Sequence, residues 1–313
     1  MPLDPHAKRL LDMLAVGGAP GSSALTPAGV RDAMRRLALA VDAKGIPGVD
    51  AIDRELPGPG GPLRVRVYTP AAAHGAETAG IVYFHGGAAV FCDIETHDGL
   101  CRLLAGSSGC RVISVEYRLA PEHAFPAATD DAYFATRWIS EHGREMRIDP
   151  ARLAVAGDSA GATLATVTCM LAREHGGPAI ALQLLLCPVT DLASESASRV
   201  ALGTGYFIER TTLEWATGLY CPPGTDREGP RVSPLRARDL SGLPRAQVHT
   251  AEFDPMRDEG EAYADRLRTA GVKVEFTCHE GMIHNFYCMT GAIPRARAIV
   301  ENAGAAAGAA LEL

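Results

Sequence analysis

The chain has no C-x-x-C pair: its eight cysteines, at positions 92, 101, 110, 169, 187, 221, 278 and 288, stand far apart. That spacing argues against a structural zinc site, and a free cysteine inside an apolar segment behaves as a small hydrophobe. Long hydrophobic runs are also missing. The most apolar stretches, Gly80–Phe84 and Ile180–Cys187, are too short to cross a bilayer and read as buried strands, so no membrane insertion is expected. Met1-Pro2-Leu3-Asp4-Pro5-His6 lacks the basic region and apolar core of a signal peptide. A reducing cytoplasm without disulfides is therefore the expected setting. There is no basic stripe and no aromatic-basic interleaving, and the formal charge is −7. Nucleic acid is not an expected partner.

What is present suits a large α/β domain. A chain of 313 residues, 47% of them hydrophobic, buries about three quarters of its extended-chain surface and needs no staple to fold. Two amphipathic helices open it. Ala7, Leu10, Leu11 and Leu14 recur at helical spacing until Gly17-Gly18; then Thr26 caps a helix that starts on Pro27 and carries Val30, Met34 and Leu37 on one face. They fit either a pair packed on the main body or a lid over a pocket.

From Leu63 onward strands alternate with helices. The expected strands are Leu63–Tyr68, Ile81–Phe84, Val112–Val115, Leu153–Ala156, Ala181–Leu186, Gln247–Ala251 and Val272–Thr277. The expected helices cover Thr129–His142, Ala160 to about Glu174, Glu259–Ala270 and Arg295–Ala303, the last with room to continue beyond. This alternation predicts a mostly parallel sheet covered on both faces, with ligands at the carboxyl ends of its strands. Leu192 to Leu243 breaks the rhythm with one short helix, about Thr211–Leu219, and reads as an inserted cap. The Ala/Gly-rich tail, Ala303–Ala310, is expected to fray.

Gly157-Asp158-Ser159-Ala160-Gly161 fits G-x-S-x-G between a strand and a helix, the context of a nucleophile elbow. The competing reading is a serine that merely caps a helix. His85-Gly86-Gly87-Ala88 follows the strand Ile81–Phe84, where such a loop supplies backbone N–H donors to an oxyanion. A serine hydroxyl needs a base, and the base needs an orienting acid, in the chain order serine, acid, histidine. His279 and His284 both lie past the last expected strand; His284 is favoured because a loop beyond the strand end can reach back to the elbow. Asp254 and Asp258 compete as the acid. Asp254 is favoured because it closely follows a strand, whereas Asp258 opens a helix, where a carboxylate is commonly a dipole partner. The elbow turns the side chain of Asp158 away, which removes it as the acid.

These motifs together resemble the bacterial hormone-sensitive-lipase-like carboxylesterases, the family IV esterases of the α/β-hydrolase fold. The resemblance covers about Val65 to Val300. His85–Ala88 stands where that family has H-G-G-G and continues into Asp93-Ile94-Glu95-Thr96-His97-Asp98. Tyr117-Arg118-Leu119-Ala120-Pro121-Glu122 matches Y-R-L-A-P-E, Gly157–Gly161 matches G-D-S-A-G, Asp254–Gly260 resembles D-P-L-x-D-E-G, and Gly281–Phe286 resembles G-M-x-H-x-F.

The resemblance implies Ser159 as nucleophile, His284 as general base and then acid, and Asp254 as its orienter. The oxyanion donors would come from Gly86 or Gly87, Ala88 and Ala160. It also implies a cap formed by residues 1–45 and about 192–243, a structural role for Tyr117, Arg118, Pro121 and Glu122, no metal or organic cofactor, and a monomer or homodimer. The expected activity is hydrolysis of small carboxylic esters with short- to medium-chain acyl groups through an acyl-enzyme. An amidase, formamidase or lactonase could use the same triad, and a receptor that has lost catalysis could share the fold. The sequence departs from the family at Ala88, the third position of H-G-G-G, and at Ala89, where an aromatic residue is common. If the loop needs positive φ there, alanine is strained, while the small Ala89 side chain is expected to open space beside the acyl group.

Overall fold

A computed structural model describes residues 2–16 and 25–312, which leaves Gly17-Gly18 outside the described residues. Two helices come first, α1 (Pro5–Val16) and α2 (Pro27–Val41), the second capped by Thr26, whose hydroxyl accepts from the Gly29 N–H. Eight strands then form one sheet: β1 (Val49–Gly58), β2 (Gly61–Pro70), β3 (Thr78–Phe84), β4 (Arg111–Val115), β5 (Ile148–Asp158), β6 (Leu182–Leu186), β7 (Arg245–Phe253) and β8 (Val274–Ile283). Their spatial order is β1-β2-β4-β3-β5-β6-β7-β8. The β1–β2 and β2–β4 pairs are antiparallel and the remaining pairs parallel.

Alternation along the strands feeds two cores. Val82 and Phe84 of β3, with Leu153 and Val155 of β5, pack on the face covered by α4 (Ala127–His142), α5 (Ala160–His175) and α8 (Arg257–Thr269). Ile81 and Tyr83, with Ala154 and Ala156, face α3 (Asp98–Ser108), α9 (Pro294–Leu311) and α1. Two short helices, α6 (Ala197–Leu202) and α7 (Arg210–Tyr220), lie in the stretch between β6 and β7. No described helix is long and apolar enough to cross a membrane. All eight cysteines are free thiols, and seven of them are buried.

Helices α3 and α6 have no counterpart among the expected elements, and three further elements depart from the expectations. The Ala/Gly tail does not fray; it is the end of α9, with Ala303, Gly304, Ala307 and Gly308 buried. A Cβ on Gly304 would lie 2.0 Å from the Ser107 Oγ, and one on Gly308 2.2 Å from the Ser108 carbonyl oxygen. The small residues are there because α3 lies directly against them. The edge strand β1 lacks a strand signature in the sequence because most of its residues are exposed and Asp50, Asp53, Arg54 and Glu55 are charged. And β8 runs on to Ile283 rather than stopping at Thr277, so His279 sits inside the strand, opposite Ala251.

Candidate active site

β5 ends on Asp158, and α5 begins on Ala160, so Ser159 occupies the turn between them, with φ 52° and ψ −121°. This backbone is uncommon for a side-chain-bearing residue and requires its neighbours to be small. A Cβ on Gly161 would lie 1.9 Å from the Phe84 carbonyl oxygen, and one on Gly157 would collide with the backbone of Gly161. The elbow thus rests directly on the end of β3.

The hydroxyl of Ser159 lies 3.1 Å from Nε2 of His284, which follows β8 immediately. Nδ1 of the same ring lies 2.9 Å from both carboxylate oxygens of Asp254, which follows β7. Asp254 Oδ1 also accepts the Met256 N–H at 2.8 Å. Asp254 and His284 are buried, and Ser159 is 9% exposed. Burial is the largest influence on His284 and disfavours its cation. The charge and hydrogen bond of Asp254 outweigh it, so the imidazole is held above its ordinary value.

The two rival residues are engaged elsewhere. His279 stacks on His249 with ring planes 4° apart, and their Nε2 and Nδ1 atoms are 3.1 Å apart. Asp258 accepts the Ser198 N–H at 2.8 Å and pairs with Arg257.

The loop after β3 carries the second half of the site. Gly87 has φ 106°, Ala88 53° and Ala89 56°, so both alanines sit in the left-handed region. The N–H groups of Gly87, Ala88 and Ala160 meet no acceptor among the described residues. Gly86 differs: its N–H donates to Asp158 Oδ1 at 2.9 Å. That bond removes Gly86 from the expected oxyanion donors.

Asp158 is a residue whose role the sequence reading missed. Besides the Gly86 N–H, its Oδ1 accepts the Tyr83 hydroxyl at 2.5 Å and lies 3.2 Å from His97 Nε2. All three side chains are buried. Burial is again the largest influence on His97 and opposes its charge, but Asp158 overrides it and raises the imidazole. His85 is driven down to about 4, mainly by burial. As a neutral ring it donates from Nδ1 to the Gly86 carbonyl at 2.7 Å and stacks on Tyr117, whose hydroxyl donates to the His85 carbonyl.

Outside this layer, Arg118 pairs with Asp131, and Glu122 binds Arg31 of α2. Arg31 also donates to the Val90 and Ala120 carbonyls, and Arg35 pairs with Asp93, which fixes α2 over the end of the loop.

Among the described residues, two clusters have the residue types of a metal site, Cys187-Asp254-His284 and His97-Asp158-Cys288. Burial pushes both thiols well above their usual range, away from the thiolate that a metal requires.

A cavity of about 50 Å³ opens beside Ser159. Its walls include Ala88, Ala89, Leu164 and Met256, together with Leu192, Arg199, Leu213, Thr217 and Tyr220 from the stretch between β6 and β7. No described residue of 2–45 lines it.

The alpha/beta hydrolase fold family model matches residues 81–288. The carboxylic ester hydrolase LipN of Mycobacterium tuberculosis is 43% identical over 76% of this chain, and the match spans 64% of that relative, just under two thirds of its length. The esterase LipI of the same organism is 40% identical over 80% of this chain and 79% of its own. Among solved structures, an ester hydrolase from the metagenome of Lake Arreo, complexed with a bipyridine phosphonate derivative, superposes with a TM-score of 0.94. It is 41% identical, with 98% of each chain covered. A thermostable esterase from Pseudomonas putida reaches 0.95 at 36% identity, over 100% of this chain and 98% of that one. The chain belongs to the alpha/beta hydrolase fold family, in its hormone-sensitive-lipase-like branch.

Proposed function

We propose that the chain is a carboxylesterase that works through an acyl-enzyme on Ser159. The observation that carries this reading is the unbroken relay from Ser159 through His284 to Asp254 at the carboxyl ends of three strands. The names of its relatives agree with it. Ser159 Oγ attacks the ester carbonyl carbon while His284 Nε2 takes the hydroxyl proton, and Asp254 stabilises the imidazolium. Charge gathers on the carbonyl oxygen, where the N–H groups of Gly87, Ala88 and Ala160 receive it. The C–O bond breaks as His284 returns the proton to the leaving alcohol. Water then attacks the acyl-serine along the same path and releases the acid and Ser159. Nothing in this sequence of proton transfers needs a metal or an organic cofactor.

The substrate is a small ester with a short- to medium-chain acyl group, which the largely apolar wall beside Ser159 suits. The stretch 192–243 forms the cap wall over the Ser159 cavity, and α2 braces the loop after β3 through Arg31 and Arg35. A reducing cytoplasm suits the eight free thiols, and the working unit is a monomer or homodimer. Replacing Ser159 with alanine and assaying p-nitrophenyl acetate tests the reading: a fall of at least about 10⁴-fold in kcat is expected, and a folded variant with undiminished turnover refutes it.

A further inference from the structure

We infer that Arg199 selects acyl groups whose far end carries an oxygen acceptor, the carboxylate of a dicarboxylic hemi-ester above all. The inference rests on the ester-hydrolase reading and deepens it by naming the substrate class.

Arg199 lies on α6 with a side chain only 14% exposed. Its Nε donates to Glu259 Oε2 at 2.7 Å and one terminal nitrogen, Nη2, donates to the Asp191 carbonyl at 2.6 Å. Glu259 is itself buried and is held by the Thr190 N–H at 2.7 Å. The guanidinium is therefore fixed in place. Its other terminal nitrogen, Nη1, meets no acceptor among the described residues.

The position of that side chain gives the free nitrogen a use. Arg199, with Leu192, Leu213 and Thr217, is common to the wall of the Ser159 cavity and to that of an outer cavity of about 300 Å³. The inner wall is otherwise largely apolar, with Leu164, Val189 and Met256. The outer one adds Ser194, Glu195, Arg210, Glu214 and Arg227. An acyl chain leaving Ser159 along the apolar wall therefore reaches a fixed donor at the boundary between the two.

A methyl group placed there takes water from Nη1 and returns nothing, whereas an oxygen restores the hydrogen bond. Glu259 already balances the charge of Arg199, so the site reads first for an acceptor. An anionic acceptor adds a charge-assisted bond. The outer cavity brings Arg210, which is paired with Glu195, and its wall also holds Arg227 and Glu214, a balance of charge that tolerates a carboxylate.

Three ethyl esters of matched acyl length separate the possibilities: ethyl hexanoate, ethyl 5-oxohexanoate and monoethyl glutarate, followed by titrimetric release of acid. The expected order of kcat/KM is glutarate, then oxohexanoate, then hexanoate, with about ten-fold or more between the first and last. Arg199→Met paired with Glu259→Gln, which removes both members of the buried pair, is expected to erase or invert that order. If the double variant does not fold, Arg199→Lys serves, because it keeps the charge but loses the forked geometry; its preference is expected to narrow several-fold. Equal ratios among the three esters in the wild type, with ethyl acetate still hydrolysed, overturn the role of Arg199 and leave the esterase reading standing. Failure to hydrolyse ethyl acetate or any of the three esters overturns both.

Discussion

The Gly86 N–H donates to Asp158 Oδ1 at 2.9 Å, so the residue just before the nucleophile holds the first peptide of the oxyanion loop. The same oxygen takes the Tyr83 hydroxyl and lies beside His97. Asp158 therefore acts as a positioning residue, which sets where the next two N–H groups point. Asp158→Asn keeps the shape but removes the charge that holds His97 and the loop. Its kcat is expected to fall about 10- to 100-fold with KM changed little, less than the 10²–10³-fold typical of losing an oxyanion donor outright. Steady-state kinetics beside a melting curve check this; a drop in melting temperature with kcat intact would make the residue purely structural.

Ala88 bears a Cβ at φ 53°, a conformation that costs an L-residue roughly 1–2 kcal/mol. Ala88→Gly releases that strain but adds freedom to the unfolded chain, worth about 0.5–1 kcal/mol. The two effects nearly cancel. Stability within about 1 kcal/mol of wild type and kcat within about three-fold are expected. Ala88→Val, with a β-branched side chain at the same φ, is expected to lose at least ten-fold in kcat. Denaturant melts and initial rates on p-nitrophenyl acetate would report both.

Ala89 is 1% exposed and lines the Ser159 cavity. Filling it with an aromatic ring shortens the available acyl space. Ala89→Phe is expected to keep measurable turnover of acetate but to lose butyrate and hexanoate by about ten-fold or more, the scale of a few displaced methylenes. A ladder of p-nitrophenyl esters tests it, and an unchanged chain-length profile would show that the acyl group lies elsewhere.

The base must be neutral to accept the proton from Ser159. Because Asp254 holds His284 above its ordinary value of about 6.5, the ring stays protonated to a higher pH than a free imidazole. Activity should therefore fall as pH drops, with the midpoint of the acid limb above about 6.5. Asp254→Asn removes the raising charge and is expected to move that limb downward while cutting kcat by about 10⁴-fold. A profile of kcat/KM against pH in the free enzyme gives the midpoint.

His249 and His279 are both depressed, mainly by burial, to about 3 and about 4. The unfolded chain protonates both near pH 6.5, while the folded chain resists. Stability carried by the pair is thus complete above about pH 6.5 and declines as pH falls toward about 4. Melting temperature is expected to drop steadily across that window. Substituting His279 with Asn should flatten the decline, and parallel melts of the two proteins between pH 5 and 8 decide it.

The parallel sheet was legible because its strands are apolar runs of ordinary length separated by amphipathic helices. Ser159, Asp254 and His284 were legible because each stands at a strand end inside a short motif, and the structure brings these three within hydrogen-bond reach. Asp158 turns its side chain toward Tyr83, Gly86 and His97 rather than toward His284. Where it turns thus depends on partners that no local pattern in the sequence connects to it. The packing of the tail is hidden for a related reason. Alanine and glycine carry little periodic signal of their own, and only the proximity of α3 gives them a purpose. Arg199 was invisible because its meaning lies in the wall shared by two cavities, and both form only after the chain has folded.

Gly161 lies so close to Phe84 that a single added carbon would strike its carbonyl. The distance between the attacking oxygen and the loop that receives the oxyanion is therefore written into backbone contact. The side chains over the Ser159 cavity, from Leu192 to Tyr220, come from a separate stretch of chain. Substitutions between Leu192 and Tyr220 can therefore reshape one wall of the cavity without disturbing the contact that ties the Ser159 turn to the end of β3.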